Sequence, residues 1–178
     1  MNSLFKITLL CLSAYAIAGC NKGEKSSITA RLEDPYEIQG YKLGMSERTL
    51  LKLGKISCRN NREKLDADRI CSASIFVSEQ PALMYFYFFN DSLKKISMSI
   101  LPRHGQLSEV KKMLSGALET KYGKPSIESA LTVIWLHKGE TISINSGDER
   151  TMTVSLISDK YEAEKARREK TADGKVDM

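Results

Sequence analysis

Ala82-Leu83-Met84-Tyr85-Phe86-Tyr87-Phe88-Phe89 is the stretch on which the fold turns. Every residue in it is apolar or aromatic, so neither face of an extended chain would be polar, and aromatic side chains favour extended backbone. The run reads as a central strand. Asn90-Asp91 follows as a turn, because both side chains bond to nearby backbone and tolerate left-handed conformations. From Leu93 to Leu101 the chain returns with Ile96, Met98 and Ile100 on one face and Ser97 and Ser99 on the other. That alternation suits an antiparallel strand with one buried side. Upstream, Ser74 to Ser78 reads as a shorter strand, ended by Pro81. The tyrosines of the central run suit two roles, core or a sheet face left partly open for a partner.

Helices flank these strands. Gly44 to Gly54 reads as a compact helix with Ser46 as N-cap, Glu47 at the positive end of the dipole, Met45 and Leu50 as a hydrophobic staple, and Gly54 as a left-handed stop. Leu107 to Tyr122 is the main helix. Leu107, Val110, Leu114, Ala117, Leu118 and Tyr122 form its apolar stripe, Ser108 is placed to cap it, and Gly123 with Pro125 stops it. Leu131 to His137, Thr141 to Ile144 and Thr151 to Ile157 follow as strands, with a tight hairpin at Lys138-Gly139. Tyr36 to Leu43 is a short strand or an extended lead-in.

The expected architecture is therefore α+β: an antiparallel sheet or sheets with two packed helices, helix and three strands repeated twice, in one domain over residues 35–158. The element order suggests internal duplication, although the halves share no convincing sequence identity. Residues 159–178 carry nearly balanced charge, and Glu162 to Lys170 lacks an apolar stripe. A polar, frayed helix leading into disorder is expected there.

The amino terminus concerns location. Lys6 precedes an uncharged apolar run from Ile7 to Ala18, the length of a signal-peptide core and short of the roughly 20 residues of a membrane span. Ile17-Ala18-Gly19-Cys20 resembles the lipobox of bacterial lipoproteins: an aliphatic residue, two small residues, then cysteine. The resemblance implies that the leader 1–19 is removed, that the Cys20 thiol receives a diacylglyceryl group, and that the new amino terminus is acylated. Asn21, rather than aspartate, implies the outer membrane, facing the periplasm. The rival readings are an ordinary signal peptide cut near Gly19 and an uncleaved anchor. Residues 20–34 are polar and read as a flexible tether between lipid and domain.

Removing residues 1–19 from the 178 leaves 159, enough for a real core. Lys6 leaves with the leader, so the formal charge falls from +5 to +4. This mild basic excess fits anionic envelope material or an acidic protein and is no nucleic-acid signature. Cys11 leaves too and Cys20 is assigned to the lipid, so Cys58 and Cys71 remain. In an oxidising compartment a disulfide is the default. Metal binding would need more ligands, and no histidine lies between them; two free thiols are the other alternative.

Motifs for chemistry are sparse. His104 and His137 are the two histidines, and no HExxH, GxSxG or phosphate-cradling glycine loop occurs. Ser99, His104 and Asp91 form a triad on paper only. Asp66 and Asp68 sit in a charged stretch where solvation explains them. No cofactor, metal or small-molecule substrate is indicated, and no catalytic residue is assigned. Lys52, Lys55, Arg59, Arg62 and Lys64 form a basic neighbourhood that is either an ordinary soluble face or a docking face for an acidic partner.

Leu43-Gly44-Met45-Ser46 before a short helix, with strands beyond, resembles the Gly-Met-Ser/Thr opening of helices in BamE-type (SmpA/OmlA) outer-membrane assembly lipoproteins. That resemblance implies helices on a small antiparallel sheet and binding of other assembly factors without catalysis. The chain departs from the pattern where Gly54 is followed by Lys55 instead of Gly-x-Pro, in its greater length and in its second helix-and-strand unit. The expected function is a non-catalytic, lipid-anchored envelope protein that binds a protein or envelope polymer. The alternative is an inhibitor or immunity protein that blocks a toxin or lysozyme-like hydrolase.

Overall fold

A computed structural model of the chain describes residues 36–62, 65–77, 79–147 and 150–173. The expected leader, Cys20, the 20–34 tether and Lys64 lie outside them. The elements are β1 (Glu37–Ile38), β2 (Tyr41–Lys42), α1 (Glu47–Leu51), β3 (Ser57–Asn60), β4 (Arg69–Val77), β5 (Gln80–Phe89), β6 (Ser92–Ile100), α2 (Leu107–Tyr122), β7 (Ile127–Glu128), β8 (Thr132–His137), β9 (Glu140–Asn145), β10 (Met152–Ser158) and α3 (Asp159–Asp173). β1 and β2 form a small hairpin of their own, and the other strands form one eight-stranded sheet ordered β3-β4-β5-β6-β10-β9-β8-β7. Every pairing in it is antiparallel. The class is α+β.

β5 takes the interior place that its composition requires, with Ala82, Met84, Phe86 and Phe88 buried on one face. Phe89 points to the opposite face, where it is buried beside Ala67 and Tyr161; a register shift between Tyr87 and Phe88 skips Lys94 of β6 and sets the buried Leu93 opposite Phe88. Pro81 does not end a strand. It is the second residue of β5, opposite Phe76 of a β4 longer than expected; near a strand start the missing N–H is tolerated. The turn at Asn90 and Asp91 has positive φ at both residues (49° and 55°), as does Lys138-Gly139 (42° and 82°). These are the twist-matching turns of two-residue hairpins.

Helices α1 and α2 cover one face. Leu50 and Val110 are buried in the same cluster as Phe86, Ile96, Trp135 and Ile144, and Met45, Leu107, Leu114, Leu118 and Tyr122 pack against it. Ser46 caps α1 by accepting the Thr49 N–H at 3.2 Å. The stop is not Gly54, whose φ is not positive. Leu53 donates to the Leu50 carbonyl at 3.0 Å instead, a tightened last turn that needs no left-handed residue. Ser108 does not cap α2; Gln106 holds the N-cap position without a side-chain cap bond. Its side chain accepts from Gln80 Nε2. Gly123 (φ 82°) closes the helix, donating to the Glu119 carbonyl at 2.9 Å.

Each half of the sheet is a four-stranded meander, not three-stranded, because β3 and β7 add a short strand at either edge. The charged segment between the cysteines reads most simply as an exposed loop, but it is partly strand, with β3 reaching Asn60 and β4 starting at Arg69. Cys58 and Cys71 face each other in register with Cα atoms 4.0 Å apart, joined by a disulfide. Cys71 is fully buried. Closing this loop stabilises the fold by about 3 kcal/mol. The Cys58→Ser/Cys71→Ser variant should lose about that much in urea denaturation; an unchanged midpoint would reject the contribution.

The carboxy-terminal segment also differs from expectation. α3 is docked, with Tyr161 1% exposed against Ala67 and Phe89. Arg168 bridges Asp68 at 2.7 Å and Lys165 bridges Asp66 at 3.1 Å. Asp66 and Asp68 are therefore anchors for α3, not merely solvated. A single buried aromatic with two cross-links needs no apolar stripe, which is why pattern reading misses it. Tyr161→Ala should free α3 at a cost of about 2 kcal/mol. Trypsin should then cut after Arg168 about thirtyfold faster, while Tyr161→Phe stays near wild type. Equal cleavage of the alanine variant would reject the anchor.

A candidate partner-binding surface

Strand alternation sends the residues between the core positions to the other face of the sheet. Cross-strand register aligns Ser57, Ser72, Tyr85, Ser97, Ser155, Ser143 and Ile134 in one row across it. The middle of this face is thus rich in hydroxyls. The neighbouring row holds Ile70, Tyr87, Lys95 and Ile157. That row lies under α3, where Ile70, Tyr87 and Ile157 pack around the buried Tyr161 cluster. Lys95 Nζ sits 5.1 Å from the Tyr87 ring and 4.9 Å from the Tyr161 ring. Burial pushes its pKa down. The aromatic run therefore divides: Phe86 and Phe88 are core, Tyr87 and Phe89 lie under α3 on the other face, and Tyr85 is half-buried on that same face.

At the β3 end of the sheet stands the basic stretch. Lys52 follows α1, Lys55 lies in the connector, Arg59 is on β3 and Arg62 comes just after it; all four side chains are exposed. No Asp or Glu occurs between Lys52 and Arg62. The nearby carboxylate of Glu47 is engaged by Arg69. Among the described residues none of the four cations forms an ion pair. Lys64, the fifth expected member, lies outside the described residues.

Arg59 opens onto a shallow depression lined by Ser57, Cys58, Arg59, Ile70, Ser72 and Tyr85. Arg59, Ser57, Ser72 and Tyr85 all carry side-chain donors, and no carboxylate lines the depression. A guanidinium among hydroxyls is suited to receive a carboxylate. Sequence reasoning found Arg59 but missed Ser57, Ser72 and Tyr85 as its companions. The alternation of β5 was the signal for Tyr85. The serines become neighbours only through the pairing of β3 with β4.

The remaining candidates are dispersed. Asp91, in the turn before β6, and Ser99, near the end of that strand, are about 25 Å apart at the rise of an extended strand, and His104 is exposed in the following connector. His137 sits beside Tyr36 with ring centroids 5.5 Å apart. Glu47 lies close to Cys58 and Cys71, but the sulfurs are bonded to each other and the carboxylate to Arg69. No protein-family model, curated protein or solved structure matches this chain.

Proposed function

We propose that this protein is a non-catalytic, lipid-anchored component of the bacterial envelope whose α+β domain binds a protein with an acidic surface. Cys20 would carry the lipid, and anchoring in the outer membrane would raise the local concentration of the domain for its partner. The observation that carries the reading is the run of exposed cations from Lys52 to Arg62, beside a depression that offers donors and no acid. Rim charges of this kind govern encounter rate and partner choice, and they weaken with salt.

The test is crosslinking capture from intact cells. It compares wild type with a variant carrying Lys52→Glu, Lys55→Glu, Arg59→Glu and Arg62→Glu. An acidic partner recovered by wild type in low salt should be lost by the variant and reduced in high salt. Equal recovery by both would reject the docking face. Arg59 among hydroxyls also fits the paired carboxylates of a glycoside hydrolase, which keeps the inhibitor reading as the second proposal. Stoichiometric loss of a captured hydrolase's turnover would select it.

We read the two halves, each a helix followed by a four-strand meander and joined where β6 meets β10, as copies of one unit. Failure of 46–100 to superpose on 107–158 would reject the duplication.

A further inference from the structure

We infer that the acidic partner binds as an extended segment that adds a strand to the free edge of β3, with a carboxylate opposite Arg59. This rests on the reading of the basic stretch as a docking face and specifies how that face works.

The backbone supports it first. Asn61 donates its N–H to the Asp68 carbonyl. Asn61 opposite Asp68 is therefore a hydrogen-bonded position of the β3–β4 ladder, and by alternation so are Arg59 opposite Ile70 and Ser57 opposite Ser72. Cys58 and Asn60 occupy the non-hydrogen-bonded positions, and the close approach of the Cys58 and Cys71 Cα atoms, 4.0 Å, agrees with that parity. The N–H and C=O groups of Cys58 and Asn60 consequently point away from β4. β3 is the last strand of the sheet on this side, and among the described residues no partner takes these groups. The disulfide fixes this edge to the buried strand β4, so the template is rigid before anything binds.

Side chains then select the occupant. An antiparallel strand bonded to Cys58 and Asn60 places one of its residues directly opposite Arg59, in the close pair that brings side chains together on the face of the depression. The groups waiting there are a guanidinium and the hydroxyls of Ser57, Ser72 and Tyr85. Lys55 and Arg62 bracket the same four-residue edge. Like charge discourages a second copy from pairing edge to edge through β3, whereas an acidic segment is drawn in. Main-chain bonds would supply affinity and the Arg59 pair the choice of residue.

The experiment uses the mature full-length protein and a short fluorescein-labelled peptide of alternating glutamate and threonine. Controls are the same peptide with lysine for glutamate, and the glutamate peptide N-methylated at alternate amides. Binding should protect the Cys58 and Asn60 amides from hydrogen exchange. Affinity should fall at least about tenfold on N-methylation at the phase that faces β3, and similarly in Arg59→Glu. Asn60→Pro, which removes one outward N–H while sparing the ladder to β4, should also weaken binding. If the glutamate peptide binds and needs Arg59 but N-methylation changes nothing and the two amides stay unprotected, strand addition is overturned and the acidic-partner reading survives. Equal binding of the glutamate and lysine peptides would overturn both. Protection of those amides that grows with protein concentration, without peptide, would assign the edge to a second copy and overturn the inference.

Discussion

Cys20→Ala should move this protein almost completely from the membrane fraction to the soluble fraction. The proposed anchor is several acyl chains on one residue, and each methylene taken from water into the bilayer contributes about 0.8 kcal/mol. A single chain holds a protein only marginally, whereas two or more hold it durably, so loss of the acylated thiol removes nearly all of the attachment at once. Among the described residues no helix is long and apolar enough to cross a membrane, and the formal excess of charge is small. A leader left uncut in the variant would retain it for an unrelated reason. A second form, with residues 1–20 exchanged for an ordinary cleavable export signal, separates the two cases. It should be soluble, while mass spectrometry of the wild type should find acyl groups on Cys20 at the mature start. A second form still found with membranes, or an unmodified wild-type thiol, would end the anchoring proposal.

The fold and the basic stretch were legible in the sequence to unequal depth. β5, β6 and α2 carry enough large side chains, repeating at two- or three-to-four-residue steps, that burial alone dictates their form. α2 runs from Leu107 to Tyr122 as its stripe predicts. β3 and β7 have no such signal: Ser57-Cys58-Arg59-Asn60 is polar and Ile127-Glu128 is two residues long. Each becomes a strand because a neighbour offers its edge, a tertiary fact with no local trace. α3 shows the same limit, since Tyr161 alone supplies its apolar contact and Asp68 lies 100 residues away from the Arg168 that grips it. The basic stretch was visible as composition. The hydroxyls beside Arg59 come together only through the register, which sets Ser57 opposite Ser72 and Ser72 opposite Tyr85.

Trp135→Ala should cost about 4 kcal/mol of stability, a large part of the 5–15 kcal/mol typical of a domain. The side chain is 1% exposed on β8, opposite Ile142 in register. Its indole Nε1 donates to the Gly123 carbonyl at 2.8 Å, tying the end of α2 to the sheet. Truncation leaves a cavity and an unpaired carbonyl together. Trp135→Phe keeps most of the apolar volume and loses the donor, so about 2 kcal/mol is expected. Trp135 is the one tryptophan, so the transition must be followed in urea by far-ultraviolet circular dichroism instead of by its fluorescence. An alanine variant within 1 kcal/mol of wild type would show that the site collapses around the loss. The shape of the curve carries further information, because Trp135 lies in the second meander and Cys58–Cys71 in the first. The pairing of β10 with β6 makes one continuous sheet of the two. A single transition whose midpoint falls in the Trp135 variant, and falls additively when the disulfide is also removed, is the behaviour of one cooperative body with two distant sites. Two separate transitions would mean that the halves keep their own stability and that the β6–β10 seam couples them weakly.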